Sequence, residues 1–382
     1  MLRRLGFTAC AILAFLLVTF LITLWQSPYS TKTLIASAYE QGLGVPRNPA
    51  KAAEWYLAAA QAGDPVAQFK RGHMQYYGRG LPVDQQAGRQ WLKTAADNGN
   101  ASGQYLTGLL IEVADAGRDP EQLRIASDWY AKAASQGVAE AQRMLASAYW
   151  SGRGVQQNDA QAFHWASKAA AQGDAASQTL LAKLYWFGKG TPPAAERTLE
   201  LLHQAASQDS EAEEMLGTMA LNGNGMPKDI PGALAHYTRA AQQGRSNAQF
   251  VLGYLYSGGV GVPENLALAN YWFLRAAQQA NPMAMISLAV HLDRGQGIKP
   301  SKLKACAVLR VALKKPLKGD VREALQTQLD AEEKTLSPAQ LTAVAQLETS
   351  YSTAAGLAVL FDDLPAQTQG SALTQGIRRG AP

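Results

Sequence analysis

Residues 141–173 read AQRMLASAYWSGRGVQQNDAQAFHWASKAAAQG, and this stretch decides the fold. Apolar residues recur at helical spacing up to Tyr149, which predicts one helix. Gly152 and Gly154 then end that helix, because glycine readily adopts the positive φ of a helix C-terminus. Asn158 is a good N-cap for a second helix, since its side chain can accept a free backbone N–H of the first turn. Each helix has only one apolar face, so this helix–turn–helix unit needs copies of itself on both sides.

Several sequence columns repeat along the chain in register with this unit. One column, which recurs once in each unit, contains Trp55, Trp91, Trp129, Trp165, Leu201, His236, Trp272 and Val308. The N-cap column contains Asn48, Asp84, Asn158, Ala194, Asp229, Asn265 and Ser301. Only Ala194 in that column lacks a side chain that can cap a helix. Ala-Ala pairs and Gly-x-Gly turns recur in the same register, so the sequence predicts about eight units between residues 34 and 314.

This pattern closely resembles the Sel1-like repeat, a relative of the tetratricopeptide repeat. The resemblance rests on A-x-x-x-L/G-x-x-Y-x-x-G-x-G-V followed by A-x-x-W-Y/F-x-K-A-A-x-x-G, which residues 248–280 also match well. It implies an all-α, right-handed α-solenoid used for protein–protein assembly, often in bacterial envelope or signalling systems. It does not identify a partner.

The composition makes nucleic acid an unexpected partner, and it excludes few other classes of function. The formal net charge is +5 over 382 residues, and the basic residues are scattered rather than clustered on one stripe. Cys10 and Cys306 lie in different segments, so no intrachain disulfide is expected. No pair of histidines has metal-ligand spacing, and no nucleophile–base motif is present. We therefore expect no cofactor, no metal and no catalysis.

Residues 1–25 predict a transmembrane signal anchor. Residues 5–25 form an uncharged, largely apolar run that is long enough to span a bilayer as a helix. Arg3 and Arg4 precede this run, which places the N-terminus in the cytoplasm. Residues 26–33 then form a linker, and the repeats lie in the periplasm if the host is Gram-negative.

A cleaved signal peptide is the alternative interpretation of the same segment, and it makes the protein secreted or periplasmic. The small residues that a signal peptidase would recognise are Ala36 and Ala38. Cleavage there would remove half of the first helix of the first repeat, so the anchor is favoured.

The other end of the chain predicts a cap and a tail. Repeat eight is rich in lysine, which is typical of a solvated terminal repeat or, alternatively, of a docking site for an acidic partner. Residues 315–362 predict a C-terminal helical cap, whose second helix begins with Ser337 as N-cap and proline at N1. Residues 363–382 are rich in glycine, proline and glutamine, which predicts a disordered tail. The acidic run of Glu211, Glu213 and Glu214 is expected on a solvated helix end.

Aromatic residues near the ends of the first helices are the candidate partner-binding residues. The column that follows the helix-ending tyrosines contains Glu40, Tyr76, Glu112, Trp150, Trp186, Leu221 and Ser257. The next column contains Gln41, Tyr77, Val113, Ser151, Phe187, Asn222 and Gly258. Both columns tolerate polar residues, so packing does not require an aromatic there. Tyr76, Tyr77, Trp150, Trp186 and Phe187 either anchor an interface or complete the packing of the neighbouring glycine-rich loop.

The favoured function is a non-catalytic, membrane-tethered scaffold or adaptor that mediates protein–protein interactions in a bacterial envelope complex. A carbohydrate- or peptidoglycan-binding module is the alternative, because an aromatic band can also stack on sugar rings. A hydrolase carrying repeats is a third hypothesis, and the missing nucleophile–base pair disfavours it.

Overall fold

The computed structural model describes residues 30–114 and 118–364, and all regular elements in these ranges are helices. The described part of the chain divides into two units after Leu180, with residues 188–192 belonging to the first unit and residues 181–187 to the second. The predicted anchor, residues 1–25, lies outside the described residues. Within the described ranges, none of the helices has the length and apolar character needed to cross a bilayer.

Each repeat contributes a first and a second helix. The first unit contains α1 (Thr31–Gln41), α2 (Pro49–Gln61), α3 (Pro65–Tyr77), α4 (Gln85–Asp97), α5 (Ala101–Ala114), α6 (Pro120–Ser135), α7 (Ala139–Ser151) and α8 (Asp159–Ala171). Helix α9 (Ala175–Phe187) belongs to the first unit up to Leu180 and to the second from Leu181. The second unit continues with α10 (Ala195–Ala205), α11 (Ser210–Asn222), α12 (Ile230–Gln242), α13 (Ser246–Gly258), α14 (Leu266–Gln278), α15 (Pro282–Arg294) and α16 (Lys302–Leu313). It ends with α17 (Gly319–Glu333), α18 (Pro338–Tyr351), α19 (Ala354–Ala358) and a 3-10 turn (Val359–Asp363).

The first helix begins inside the predicted linker of residues 26–33, which corrects that boundary. Ser30 is the N-cap of α1, and its hydroxyl accepts a hydrogen bond from the Thr33 backbone N–H. The Asp64 carboxylate, which stands before α3, also accepts bonds from the Ser30 N–H and the Thr33 hydroxyl. These bonds satisfy backbone groups that would otherwise be free at the helix start, so α1 extends to Thr31.

The N-cap column is confirmed at the second helices. The side chains of Asn48, Asp84, Asn158, Asp229, Asn265 and Ser301 each accept a backbone N–H of the first turn. Ala194 has the same extended backbone, with φ −146° and ψ 95°, but makes no side-chain cap. Asp119, which the sequence analysis did not include, caps the second helix of repeat three.

The position that follows the tryptophan column in the second helices is part of the core. The residues that follow that column are buried in every repeat: Tyr56, Leu92, Tyr130, Ala166, Leu202, Tyr237, Phe273 and Leu309. Trp55, by contrast, is 37% exposed. A step of one residue rotates a side chain by about 100° around a helix, so Trp55 borders the core, whereas Trp129 and Trp272 of the same column are buried.

Buried glutamines connect one repeat to the next within each unit. In repeat two, the Gln68 side-chain amide donates to the Ala60 carbonyl at the end of α2, at 3.1 Å. The Gln68 side-chain carbonyl accepts from the Asn98 amide at 2.8 Å, at the end of α4. Gln104, Gln142 and Gln249 repeat this arrangement. Both polar atoms of each glutamine side chain thus have a hydrogen-bond partner, which explains how a polar residue is tolerated in the core.

From repeat two onward, the second glycine of each Gly-x-Gly turn allows close contact with the preceding repeat. Gly80 has φ 74°, and a Cβ atom added to it would lie 2.6 Å from Pro49, at the start of α2. Gly297 would similarly place a Cβ 2.5 Å from Leu266. These glycines therefore serve repeat stacking as well as the turn.

The C-terminal segment covers repeat eight and neutralises part of its basic charge. Arg310 pairs with Glu333 of α17 at 2.7 Å and with Glu348 of α18 at 3.3 Å. Lys314 also pairs with Glu348, and Lys304 pairs with Asp363. The cap of the chain itself therefore occupies part of the site that the sequence analysis assigned to solvent or to an acidic partner.

The predicted helix start at Ser337 is confirmed by a complete capping box with Gln340. The predicted tail, residues 363–382, begins too early. The Asp363 carbonyl accepts the Lys299 backbone N–H at 3.0 Å, and Leu364 is buried. The remainder of the predicted tail lies outside the described residues.

Candidate interaction surface

The five candidate residues occupy two adjacent columns with different exposure. The inner column contains Tyr76, Trp150 and Trp186, and all three side chains are half-buried. The outer column contains Tyr77, which is 51% exposed, and Phe187, which is 58% exposed. Tyr77 and Phe187 end the helices α3 and α9, in the first and second unit respectively.

Two inner-column residues pack closely against glycines. A Cβ atom added to Gly88 of α4 would lie 2.7 Å from the Tyr76 backbone nitrogen. A Cβ atom added to Gly225, in the turn after α11, would lie 3.3 Å from the Trp186 ring. The Trp186 ring therefore lies over the glycine-rich turn of the next repeat, which is the packing role considered in the sequence analysis.

The inner column complements the buried column of the second helices. Each inner residue precedes a buried residue by 16 positions, or by 18 in repeat three, whose turn is longer. The pairs are Glu40–Tyr56, Tyr76–Leu92, Glu112–Tyr130, Trp150–Ala166, Trp186–Leu202, Leu221–Tyr237, Ser257–Phe273 and Asp293–Leu309. In none of the eight pairs are both residues aromatic. Because cores tolerate redistribution of volume better than its gain or loss, the inner aromatics compensate for a small partner.

Repeats one and three use a tyrosine–glutamate hydrogen bond at the same place. The Tyr56 hydroxyl donates to the Glu40 carboxylate at 2.7 Å, and the Lys70 ammonium lies 3.1 Å from the same oxygen. In repeat three, Tyr130 donates to Glu112 at 2.8 Å, and Arg153 pairs with Glu112 at 3.0 Å. Polar residues are thus tolerated in the inner column because they have partners there.

The contact between Tyr56 and Glu40 changes the pKa of both side chains. Burial raises the pKa of the Glu40 carboxyl, but the bonds from Tyr56 and Lys70 outweigh it, so the pKa ends below its usual value. Burial and the nearby carboxylate both raise the pKa of the Tyr56 hydroxyl. At neutral pH the pair is therefore a neutral phenol that donates to a carboxylate.

In repeat two, Tyr77 continues an aromatic row along α3. The rings of Phe69 and His73 lie 5.9 Å apart, those of His73 and Tyr77 4.7 Å, and those of Tyr77 and Tyr76 4.9 Å. Burial lowers the pKa of His73, and the charges of Arg79 and Lys70 lower it further. The row is therefore uncharged at neutral pH and ends in an exposed phenol ring.

In repeat five, Phe187 borders a depression of about 250 Å³. Trp186, Met215 and Met219 line it, together with Thr218 and Asn224. Lys183 also borders it, and its ammonium pairs with Glu211 at 2.5 Å. The second unit thus presents an exposed phenyl ring beside methionine and indole groups, a composition typical of the central part of protein interfaces.

The acidic run in α11 is not solvated, contrary to the sequence-based expectation. The Glu213 side chain is only 6% exposed and pairs with both Arg239 and His236 at 2.6 Å. Glu214 pairs with Arg245 at 2.7 Å. The physical reason is register, because Glu213 occupies the column of the buried glutamines, and that alignment was the available signal.

A second buried polar cluster joins α13, α14 and α15. The His291 Nε2 atom is hydrogen-bonded to the Ser257 hydroxyl at 3.2 Å. Its Nδ1 atom lies 2.7 Å from the Asn270 amide oxygen. Sequence spacing did not reveal this serine–histidine–asparagine contact. Ser257 lies in the last turn of α13, where the partial negative charge of the helix C-terminus disfavours an oxyanion. The cluster connects three helices rather than forming a hydrolytic site.

Residues suited to bind metals are dispersed in the described ranges. There, no group of three or more histidine, cysteine, aspartate or glutamate side chains is placed to hold a metal ion. Cys306 is a buried thiol, and burial together with Glu332 raises its pKa to about 12. Cys10 lies outside the described residues.

Comparison with known proteins agrees with this geometry. The Sel1 repeat description matches eight consecutive segments, residues 33–64, 65–100, 101–138, 139–174, 175–210, 210–244, 246–281 and 282–307. A Sel1 repeat protein from Oxalobacter formigenes is 34% identical, with a TM-score of 0.52, over 66% of this chain and 73% of that one. The protein c5321, a protective antigen of uropathogenic Escherichia coli with an SLR fold, is 24% identical, with a TM-score of 0.50, over 90% of this chain and 86% of that one.

Among curated proteins, Protein SHC1 of Saccharomyces cerevisiae is 34% identical over 152 residues, which are 36% of this chain. The match spans only 28% of the length of that relative. The eight matching segments cover well over half of the chain, which therefore belongs to the Sel1 repeat family. Proteins of this family generally mediate protein–protein interactions, and the fold is typically non-catalytic.

Proposed function

We propose that this Sel1 repeat protein is a non-catalytic scaffold that binds protein partners through exposed aromatic residues, Tyr77 in the first unit and Phe187 in the second. The observation that supports it most strongly is the exposure of Phe187, 58%, beside an apolar depression whose other aromatic, Trp186, is packed. Aromatic residues that are exposed without a packing role are typical interface anchors. The inner-column residues support the helix ends that present them.

We further propose that residues 5–25 tether the scaffold to the inner membrane, with the repeats in the periplasm of a Gram-negative host. The support is the uncharged, largely apolar run that follows Arg3 and Arg4. The scaffold would then recruit its partner to an envelope complex. Cleavage of the run, which releases the repeats, is the alternative, and N-terminal sequencing of the mature protein separates the two outcomes.

The partner proposal is tested by a crosslinked pull-down of the full-length protein from its native host. The test variant is Tyr77→Ala/Phe187→Ala, and the matched control is Trp55→Ala, which removes a partly exposed aromatic of a second helix. Recovery of one protein with the wild type and the control, and its loss with the test variant, supports the proposal. Recovery of the same proteins with all three places the binding surface elsewhere.

The carbohydrate alternative makes a different prediction for the same variants. The aromatic residues of a sugar-binding band would retain the purified protein on cell-wall material, and Tyr77→Ala/Phe187→Ala would abolish that retention. We expect no retention of the wild type, because stacking on a sugar ring needs convergent hydrogen-bonding groups beside the aromatic. The depression beside Phe187 is instead lined mainly by methionine and indole groups.

A further inference from the structure

Repeats two and three depart from the core pattern at one column of the first helices. This column contains Ile35, Arg71, Thr107, Leu145, Leu181, Leu216, Leu252 and Leu288. The five leucines are buried. Thr107 is only 6% exposed, and its hydroxyl has no hydrogen-bond partner in the described part of the chain. Threonine is smaller than leucine and carries a polar group that is unfavourable when buried and unpaired, so Thr107 leaves space at a loss of stability.

A pocket of about 440 Å³ lies at that place, between α4, α5 and α6. Thr107, Leu110 and Ile111 line it from α5, and Gln122 lines it from α6. This volume is within the usual range for ligand sites. The pocket also adjoins the one repeat whose turn lacks Gly-x-Gly, with Ala114 and Ala116 in place of the two glycines.

The α4 side of the pocket is basic. Arg89 and Lys93 line it, one helical turn apart. The Lys93 ammonium forms an ion pair with the Asp97 carboxylate at 2.7 Å. Arg89 is exposed, its guanidinium lies 5.8 Å from the Tyr76 ring, and it forms no ion pair within residues 30–114 and 118–364.

Arg89 is also unusual in its column. The other members of that column are Ala53, Ser127, Phe163, Leu199, Leu234, Asn270 and Cys306, none of which is charged. A basic residue has thus replaced a neutral one at the pocket edge, while a polar residue has replaced leucine in its lining. Neither change favours stacking of the repeats.

We propose that this pocket binds an acidic segment of a partner protein, with one large apolar side chain inserted against Leu110 and Ile111 and an adjacent carboxylate paired with Arg89. This inference rests on the proposed scaffold function and names a second contact with the partner. Segments 1–29 and 365–382 of the chain contain arginines and no aspartate or glutamate, so their side chains do not complement the site. An acidic, apolar-anchored peptide does.

The test uses the full-length protein in detergent and three pools of fluorescein-labelled peptides. Each pool has a central leucine, isoleucine, phenylalanine or tryptophan, followed by two glutamates, two glutamines or two lysines. Fluorescence anisotropy should show binding of the glutamate pool at least tenfold tighter than that of the other two. Equal binding of the glutamate and glutamine pools would overturn the proposal.

Two variants and one control locate the binding. Arg89→Glu should weaken binding of the glutamate pool at least tenfold, and Lys32→Glu, an equivalent charge change on exposed α1, should leave it unchanged. Thr107→Leu should also weaken binding at least tenfold while raising the melting temperature, because it introduces the leucine that repeats four to eight have in this column. Loss of binding in a more stable variant cannot be attributed to unfolding. Unchanged binding in Thr107→Leu would place the site elsewhere and contradict the proposal.

The failure of this inference is distinguishable from failure of the scaffold function. If the pull-down still depends on Tyr77 and Phe187 but no peptide pool distinguishes Thr107→Leu from the wild type, the pocket proposal alone is wrong. If the pull-down recovers no partner, the scaffold function fails whatever the peptides do.

Discussion

The repeats fill the same space in two opposite ways. Repeats one and three use one way, and repeats two, four and five use the other. In the first group a tyrosine from the second helix enters the core and donates to a glutamate at the end of the first helix, as Tyr56 does to Glu40. In the second group the second helix carries leucine or alanine, and the aromatic residue comes from the first helix. In repeat five, for example, Trp186 of the first helix is paired with Leu202 of the second. The inner aromatics therefore belong to the packing of the repeat. Their exposed neighbours Tyr77 and Phe187 are the residues that we propose for binding a partner.

Truncating two neighbouring aromatics gives the largest expected contrast. Trp186→Ala should lower the free energy of unfolding by about 3 kcal/mol, because it removes a ring packed on the next turn. Phe187→Ala should change it by less than about 0.5 kcal/mol, because the side chain is mostly exposed. Urea denaturation followed by far-UV circular dichroism measures both. Equal losses would break the distinction between the two columns.

Converting one type of repeat into the other tests whether the two positions fill one space. Trp150→Glu and Ala166→Tyr together would rebuild in repeat four the tyrosine–glutamate pair of repeat three. Lys189 occupies the turn position of Arg153, the residue that pairs with Glu112.

In a double-mutant cycle, each single change should destabilise the protein. The pair should recover about 2 kcal/mol relative to the sum of the single effects, the range typical of residues in contact. Strict additivity in urea denaturation would show that the two positions do not share one space.

The two types of repeat should also differ in their response to acid. The pKa of Glu40 is depressed in the folded state, so its contribution to stability is complete above the unfolded-state pKa of about 4.3. That contribution is lost as the pH falls through the lower folded pKa. The stability difference between wild type and Glu40→Gln should therefore shrink between pH 7 and pH 3 in thermal melts. A matched change at exposed Glu54, Glu54→Gln, should show no such trend.

The smallest effects concern the helix starts, where repeat five differs from repeat six. Ala194→Asn should raise the free energy of unfolding by about 1 kcal/mol, because the backbone already has the N-cap conformation. Asp229→Ala should lower it by about 1 kcal/mol, because it removes an existing cap. Urea denaturation measures both changes in the free energy of unfolding. A loss of stability in Ala194→Asn would contradict the assigned N-cap geometry.

Much of the fold was predictable because its signals are local and repeated. Columns of N-caps, glycines and paired alanines predicted helix–turn–helix units, and the eight matching segments confirm them. The inter-repeat role of the second glycine was not predictable, because Gly80 contacts Pro49 across a repeat boundary. Single-residue exceptions were missed for another reason. Glu213 looked like part of a charged run until its register with the buried glutamines was considered.

The candidate site was only partly predictable. The sequence identified the aromatic columns, but it could not separate Tyr76 from Tyr77, since adjacent residues of a helix point about 100° apart and only packing decides which is covered. It also did not single out Thr107, because threonine in an isolated helix is unremarkable. The substitution is informative only beside the leucines of the other repeats.

Site-specific photo-crosslinking tests the central claim most directly. A photoreactive phenylalanine analogue is placed at position 187 or at position 186 of the full-length protein in its native host. The account predicts a crosslinked partner from position 187, and from position 77 in a parallel experiment, with none from position 186. A partner captured from position 186 and not from 187 would contradict the assignment of packing to the inner column and binding to the outer one.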